Sequence, residues 1–172
     1  EASSNLSRLD GVAYGHRAED YTDVDSLFSK SRAEGFGPEV KRRIMLGTYL
    51  LGEESGAPYY KKALEAAVLI KEEHNNILSK FDLILSPTMP ATAALIGEKQ
   101  TDPVESYLND ICTTNANVTG LPAMSIPCGF DQKGLSIGMQ LLAGEFKEET
   151  ILKVAYTFEQ MTNYKDQRPK IV

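Results

Sequence analysis

The sequence predicts an α/β fold and indicates that only part of that fold lies in this chain. Stretches with helical spacing and short apolar runs typical of strands alternate in the order helix, strand, helix, strand, strand, helix. The 172 residues are 42% hydrophobic and 24% charged, a composition typical of a globular protein. Three strands form a small sheet for so much helix, so we expect further strands outside this sequence.

Two helices are predicted in the first third of the chain. Asp23 or Asp25 is suited to cap a short helix, which the Gly-Phe-Gly sequence at residues 35–37 ends. Pro38 then begins a second helix, because proline fits the first helical position, and this helix runs to about Gly52.

A long helix and a strand follow. The apolar spacing predicts a helix over residues 58–80, and the short apolar run at residues 82–86, ended by Pro87, is typical of a buried strand. The apolar face of the long helix contains Tyr59, Ala63, Ala66, Ala67, Ile70 and Ile77.

The last part of the chain predicts a helix, a hairpin and a closing helix. Pro103 begins a helix over residues 103–117. Strands at 123–127 and 136–143 flank an Asp-Gln-Lys-Gly turn at residues 131–134, which is a hairpin signal. An amphipathic helix at 148–162 completes the α/β pattern.

Charge and composition exclude several classes of protein. The formal charge of −6 argues against nucleic-acid binding by the whole surface. No apolar run reaches the roughly 18–20 residues of a membrane span, and nothing resembles a signal peptide. Cys112 and Cys128 are too few for a disulfide framework and have no zinc-type partners. We therefore expect a cytoplasmic protein with no metal site and no cofactor of its own.

General catalytic motifs are missing from the sequence. It has no Gly-rich phosphate loop, no His-Glu-x-x-His, no Gly-x-Ser-x-Gly and no Cys-x-x-Cys. His74 falls on the apolar face of the long helix, which favours a hydrogen-bonded structural histidine, and His16 lies in a turn-rich stretch without a nearby cysteine. These patterns alone name no catalytic group.

One arginine is placed unusually. On the second helix, Arg43 falls within the apolar arc that contains Ile44 and Leu50, whereas Lys41 and Arg42 fall outside it. An unpaired buried charge is very costly, so Arg43 must be paired or must face a cavity. Arg43 either forms a structural ion pair, extends past the apolar surface so that its charge stays in water, or binds the carboxylate of a ligand.

Asp110 lies at the edge of the apolar face of the helix predicted after Pro103, beside Tyr107 and Thr114. A carboxylate there can pair with an arginine or receive a ligand ammonium group. The pattern permits both interpretations.

Several segments together resemble the C-terminal part of the amidase signature family, and within it the glutaminase subunits of tRNA-dependent amidotransferases. The Glu-Val-Lys-Arg-Arg-Ile and Tyr-x-Asn-Asp sequences separate this branch from other amidases. The segments that carry the resemblance are residues 1–12, 35–48, 59–63, 82–88, 107–110, 120–127 and 134–141.

The resemblance implies an α/β/α domain around a large mixed sheet, of which residues 1–172 are the C-terminal portion. It implies a Ser–cis-Ser–Lys triad whose nucleophilic serine attacks the carboxamide of glutamine and releases ammonia. The ammonia serves a partner kinase/transamidase subunit, which uses ATP and Mg²⁺ to convert Glu-tRNA(Gln) or Asp-tRNA(Asn) into the amide form. A small third subunit belongs to the same complex.

The catalytic part of the resemblance cannot be carried over. This sequence has no Gly-Gly-Ser-Ser-Gly segment, and its first methionine is Met45, which is consistent with a fragment. We therefore expect no catalytic residue in the chain and no activity of the chain alone. The resemblance does carry over two substrate-binding positions, Arg43 for the α-carboxylate of glutamine and Asp110 for its α-amino group, with Arg42 as the alternative should the register slip by one.

Two other functions remain open from the sequence. One is a fragment of a stand-alone amidase, which the presence of both Arg43 and Asp110 disfavours because an apolar amide needs neither. The other is a non-catalytic binding or scaffold domain.

Overall fold

The computed structural model describes residues 1–52, 56–97 and 107–168, and the chain divides into two compact units, residues 1–65 and 66–172. Within the described part, none of the helices combines the length and the apolar character that crossing a membrane requires. The expectation that residues 1–172 form the C-terminal portion of one domain stays a prediction.

The first unit is helical. Its helices are α1 (Ala2–Leu6), α2 (Val24–Gly35), α3 (Pro38–Leu51) and the beginning of α4 (Ala57–Leu78). The predictions for α2, α3 and α4 are confirmed to within two residues, whereas α1 was not predicted.

Polar contacts begin α2 and hold the loop before it. The Asp23 carboxylate accepts from the Ser26 N–H at 2.7 Å, and the Ser26 hydroxyl accepts from the Asp23 N–H at 3.0 Å, forming a capping box. The buried Ser31 hydroxyl accepts from the Ala18 N–H at 2.9 Å. Gly11, at φ +83°, approaches this serine so closely that a Cβ there would lie 2.5 Å from its oxygen.

The long helix α4 exposes most of its apolar side chains. Leu64, Val68 and Leu69 are all more than half exposed, and of the predicted apolar face only Ala67 and Ile70 are half-buried. The amphipathic spacing thus predicted the helix correctly. It did not identify a buried face, because most of the apolar side chains are exposed.

The second unit contains the sheet. Its strands are β1 (Leu83–Pro87), β2 (Ala123–Phe130) and β3 (Ser136–Ala143), in the spatial order β1-β3-β2. Its helices are the end of α4, α5 (Ile111–Thr119), α6 (Glu148–Met161) and a short 3₁₀ turn at Tyr164–Asp166. The α/β class is confirmed, and both strand pairs in the described residues are antiparallel.

The two faces of the sheet differ in chemistry. Leu141 pairs in register with both Leu85 and Met124, and α6 covers this face with Ile151 and Ala155. The core cluster is Ile126, Leu141, Ala143, Ile151 and Ala155, with Phe158 packed against it. On the other face, Gln140 pairs in register with Ser86 and Ser125, which gives a row of polar side chains.

The helix predicted at 103–117 needs correction. Residues 98–106 lie outside the described part of the chain; residues 107–109 are helical, Asp110 is in a turn, and α5 begins at Ile111. Asp110 has φ −88° and ψ 0°, which interrupts regular helix. Strand β2 continues three residues past the predicted end, through a bulge between Pro127 and Gly129.

Candidate functional site

Arg43 lies on α3 and forms an ion pair within that helix. Its Nε donates to Glu39 Oε1 at 2.9 Å, and Arg42 Nε donates to the other oxygen of the same carboxylate at 3.0 Å. The side chains of Arg43 and Glu39 are 53% and 49% exposed. Hydrogen bonds from Arg43 and then Arg42 lower the pKa of Glu39 below its usual value.

The prediction of an inward-facing Arg43 is therefore wrong as to burial. The helical arc is correct, but Ile44 and Leu50, which share it, are only half-buried, and Met45 on the same helix is 72% exposed. An exposed pair of residues four apart on a helix gains little free energy, since water screens it. The half-exposed guanidinium is therefore accessible from solvent.

Asp110 precedes α5 at the position that normally caps a helix. Its carbonyl accepts the N–H groups of Thr113 at 3.1 Å and Thr114 at 2.9 Å, and the Thr114 hydroxyl at 2.8 Å. Aspartate is among the best capping residues, yet its carboxylate makes no capping hydrogen bond here. The side chain is exposed, so its oxygens are accessible to a cationic ligand group.

A cavity of about 730 Å³ lies beside this turn. Asn109, the neighbour of Asp110, lines it together with Thr88 and Gly138. The Thr88 and Ser125 hydroxyls are hydrogen-bonded at 2.6 Å. A Cβ at Gly138 would lie 2.9 Å from Thr88 Oγ1, so glycine at this position of β3 allows the two hydroxyls to lie close together.

The hairpin turn is held to the segment that follows β1. Asp131 accepts from the Leu135 N–H at 2.9 Å and from the Thr92 hydroxyl at 2.8 Å. These hydrogen bonds, with that from Leu135 the largest effect, lower the pKa of Asp131. They fix one wall of the cavity, which Thr92 also lines.

Gln140 is a residue that the sequence patterns did not single out. It is 6% exposed, and its Nε2 donates to the Cys112 carbonyl at 2.9 Å and to Ser86 Oγ at 3.2 Å. A signal was present: a polar amide stands between Met139 and Leu141 in an apolar strand, and a buried polar group requires partners.

The remaining candidates have structural contacts. His74 Nδ1 lies 2.8 Å from the Ile70 carbonyl, which confirms the prediction of a hydrogen-bonded histidine. His16 Nε2 lies 2.7 Å from Glu34 Oε2 in an exposed pair. Cys112 and Cys128 are half-buried free thiols, consistent with packing roles. Arg43 belongs to residues 1–65 and Asp110 to residues 66–172, so a site shared by the two stays a prediction.

Comparison with known proteins identifies one family. The Amidase family model matches residues 1–152. The chain is 50% identical over 165 residues to the A subunit of glutamyl-tRNA(Gln) amidotransferase from Agathobacter rectalis, covering 96% of this chain and 33% of that protein. It is 49% identical over 172 residues to the corresponding protein of Brevibacillus brevis, covering all of this chain and 35% of that protein. The chain thus spans about a third of the length of the curated relatives it matches.

Solved structures agree with this result. The crystal structure of the A subunit of glutamyl-tRNA(Gln) amidotransferase from Thermotoga maritima is similar with a TM-score of 0.62 and 38% identity, over 82% of this chain and 32% of that one. A 6-aminohexanoate cyclic dimer hydrolase has a TM-score of 0.66 at 22% identity, over 98% of this chain and 34% of that one. At that identity the second likeness shows the fold alone.

Proposed function

This chain belongs to the amidase family, and from that premise we propose that it is the C-terminal part of the glutaminase subunit of a tRNA-dependent amidotransferase. The observation that carries the proposal is the identity of about 50%, over nearly the whole chain, to the A subunit of glutamyl-tRNA(Gln) amidotransferase. The complete subunit would hydrolyse glutamine and supply ammonia for converting Glu-tRNA(Gln) or Asp-tRNA(Asn) to the amidated form.

The proposal includes partners for the complete subunit. A kinase/transamidase subunit would consume ATP, with Mg²⁺, to activate the misacylated tRNA and would receive the ammonia, and a small third subunit would complete the complex. This chain would hold no cofactor of its own. Its part in the reaction is to bind the glutamine.

Free glutamine carries both a carboxylate and an ammonium group, so a selective pocket needs a cation and an anion. Arg43 offers a planar guanidinium that matches a carboxylate with two hydrogen bonds, and Asp110 offers acceptor oxygens. Support for Arg43 comes from its half-exposed guanidinium, which a carboxylate can approach from solvent. Support for Asp110 comes from its exposed carboxylate, which does not cap α5 although it stands at the cap position.

The residues that break the carboxamide bond are proposed to lie elsewhere in the subunit. The family's triad needs two serines and a lysine on a Gly/Ser-rich segment, and no such segment occurs in this sequence. We therefore predict that the purified chain releases no ammonia from glutamine above a buffer control. Ammonia release that follows the chain through purification would contradict this.

The binding assignment is tested in the complete subunit that contains this sequence. Arg43→Ala and Asp110→Ala should each raise the KM for glutamine by about 10- to 100-fold, because hydrogen bonds to charged groups contribute roughly 1.5–3 kcal/mol. Arg43→Lys should also raise the KM, since a point charge cannot reproduce two parallel hydrogen bonds.

Neighbouring cations on α3 supply the matched controls. Lys41 donates to the Ala33 carbonyl at 2.6 Å, so Lys41→Ala removes a charge close to Arg43 without removing the proposed ligand contact. Lys41→Ala and Arg42→Ala should have smaller effects on the KM. If Arg43→Ala lowers the melting temperature and leaves the KM unchanged, the Glu39–Arg43 pair is structural and the assignment is wrong.

A further inference from the structure

We propose that Gln140 is a positioning residue for Asp110, because it holds the first turn of α5 against strand β3. The proposal rests on the function proposed above, since it concerns how the ammonium group of glutamine is recognised. It adds a residue that touches no substrate and acts through the backbone that carries Asp110.

The contacts of Gln140 join three elements. Its amide nitrogen donates both hydrogens, one to the Cys112 carbonyl in the first turn of α5 at 2.9 Å and one to Ser86 Oγ on β1 at 3.2 Å. The side chain itself extends from β3 and is 6% exposed. A buried amide with both hydrogens donated has one preferred orientation, because rotating it would leave polar groups unsatisfied.

The hydrogen bond to Cys112 is the connection that matters for Asp110. Among the described residues, it is the one hydrogen bond that joins α5 to a strand. Cys112 lies two residues after Asp110, and the Asp110 carbonyl is itself bonded to the N–H groups of Thr113 and Thr114. This turn therefore moves as a unit, and a shift at Cys112 displaces the Asp110 carboxylate with it.

A glutamine side chain has the two N–H donors and the length that these two hydrogen bonds require. Both partners accept a hydrogen bond from Gln140, so the residue at this position needs two N–H donors at the end of a side chain of this length. Methionine has a similar length and no donor, so Gln140→Met would remove the hydrogen bond that holds the first turn of α5 to β3. Asparagine keeps the amide but is one methylene shorter, so Gln140→Asn would draw it away from the Cys112 carbonyl.

The experiment compares two substrates in the complete subunit. Glutaramate has the carboxamide and the carboxylate of glutamine but lacks its ammonium group, so its binding does not use Asp110. Gln140→Met should raise the KM for glutamine by about three- to tenfold and change the KM for glutaramate by less than about twofold. Gln140→Asn should act in the same direction, and it provides a second variant should Gln140→Met fail to fold.

A matched control separates positioning from stability. Ile126 is buried on the opposite face of the same sheet, against α6. Ile126→Val should lower the melting temperature and leave the ratio of the two KM values unchanged. In an Asp110→Ala background, Gln140→Met should produce no further change in the KM for glutamine, because the group that it positions has been removed.

The outcomes distinguish this inference from the proposed function. If Asp110→Ala abolishes the preference for glutamine while the Gln140 variants affect both substrates equally or neither, then the role of Gln140 is overturned and the proposed function stands. If Asp110→Ala leaves the preference intact, or if the wild-type subunit hydrolyses neither substrate, the proposed site is wrong and the inference about Gln140 is overturned with it.

Discussion

Different kinds of interaction stabilise the interior of each of the two compact units of this chain. In the part of residues 66–172 that the structure describes, the buried apolar side chains are Leu121, Ile126, Leu141, Leu142, Ala143, Ile151 and Ala155. In the described part of residues 1–65, only Ala18 and Leu27 are buried and apolar. The second unit therefore has an apolar core, whereas the first depends on polar contacts between loops and helices.

The contacts of Arg32 illustrate how the first unit is held. Its guanidinium donates to the carbonyls of Leu6 at 2.7 Å and Leu9 at 3.2 Å, and it lies 5.0 Å from the centre of the Phe36 ring. One side chain thus connects the end of α1, the following turn and α2. In this chain, amphipathic spacing stabilises a helix through apolar burial where a sheet packs against the helix, as β3 packs against α6.

Loss of one core side chain should destabilise the second unit more than any other substitution considered below. Leu141→Ala should lower the free energy of unfolding by about 2–5 kcal/mol, because Leu141 is completely buried and the cavity left behind cannot collapse fully. Met45→Ala on α3 is the control, and it should change this free energy by less than about 0.5 kcal/mol since Met45 is largely exposed. Hydrogen exchange of the β3 amides measures the effect of Leu141→Ala, and that of the α3 amides measures the effect of Met45→Ala. Equal losses of free energy from the two substitutions would contradict the difference between the two units.

In the first unit, removal of a polar side chain should have the corresponding destabilising effect. Arg32→Met keeps most of the volume but removes two hydrogen bonds to carbonyls, so we expect a loss of about 1–3 kcal/mol in the opening of α2. Arg17→Met is the control, because the hydrogen bond and the ring contact of Arg17 are with the exposed Tyr21. If hydrogen exchange shows that Arg32→Met leaves α2 as well protected as before, polar contacts do not hold this unit.

The smallest expected effect is on acid stability. Hydrogen bonds hold the pKa of Asp131 below its usual value, so the stability that they contribute is present above about pH 4 and is lost as the pH falls through the lower folded pKa. Asp131→Asn should lower the melting temperature near pH 6 and flatten its fall between about pH 4 and pH 2. Unchanged steepness of the melting temperature against pH would show that other carboxylates control acid unfolding.

Much of the secondary structure follows from local patterns. Pro38 after Gly37 predicted the start of α3, and the Asp-Gln-Lys-Gly turn predicted the hairpin. The apolar period predicted α6. These predictions are correct within a residue or two, apart from the longer end of β2. Capping, turn chemistry and periodicity act over a few residues, so a sequence displays them directly. The family was also readable from sequence, because its motifs are continuous stretches.

The candidate site was only partly readable. Arg43 and Asp110 stand in recognisable motifs, but Gln140 stands in an apolar strand, and its importance depends on a carbonyl 28 residues away. The break at Asp110 was missed because the apolar spacing of residues 107–114 continues through it. The structure shows a turn there, in which the Asp110 N–H donates to the Tyr107 carbonyl three residues back.

Local patterns in the sequence identify α2, α3, α4, α6 and the three strands, the position of the hairpin, and the family that the chain resembles. The burial of the amphipathic faces, the exposure of Arg43 and the hydrogen bond from Gln140 to α5 are visible only in the folded chain. The difference lies in the range of the interactions. Backbone preference and periodicity are set by neighbours along the chain, whereas burial and hydrogen-bond partners depend on residues that only folding brings together.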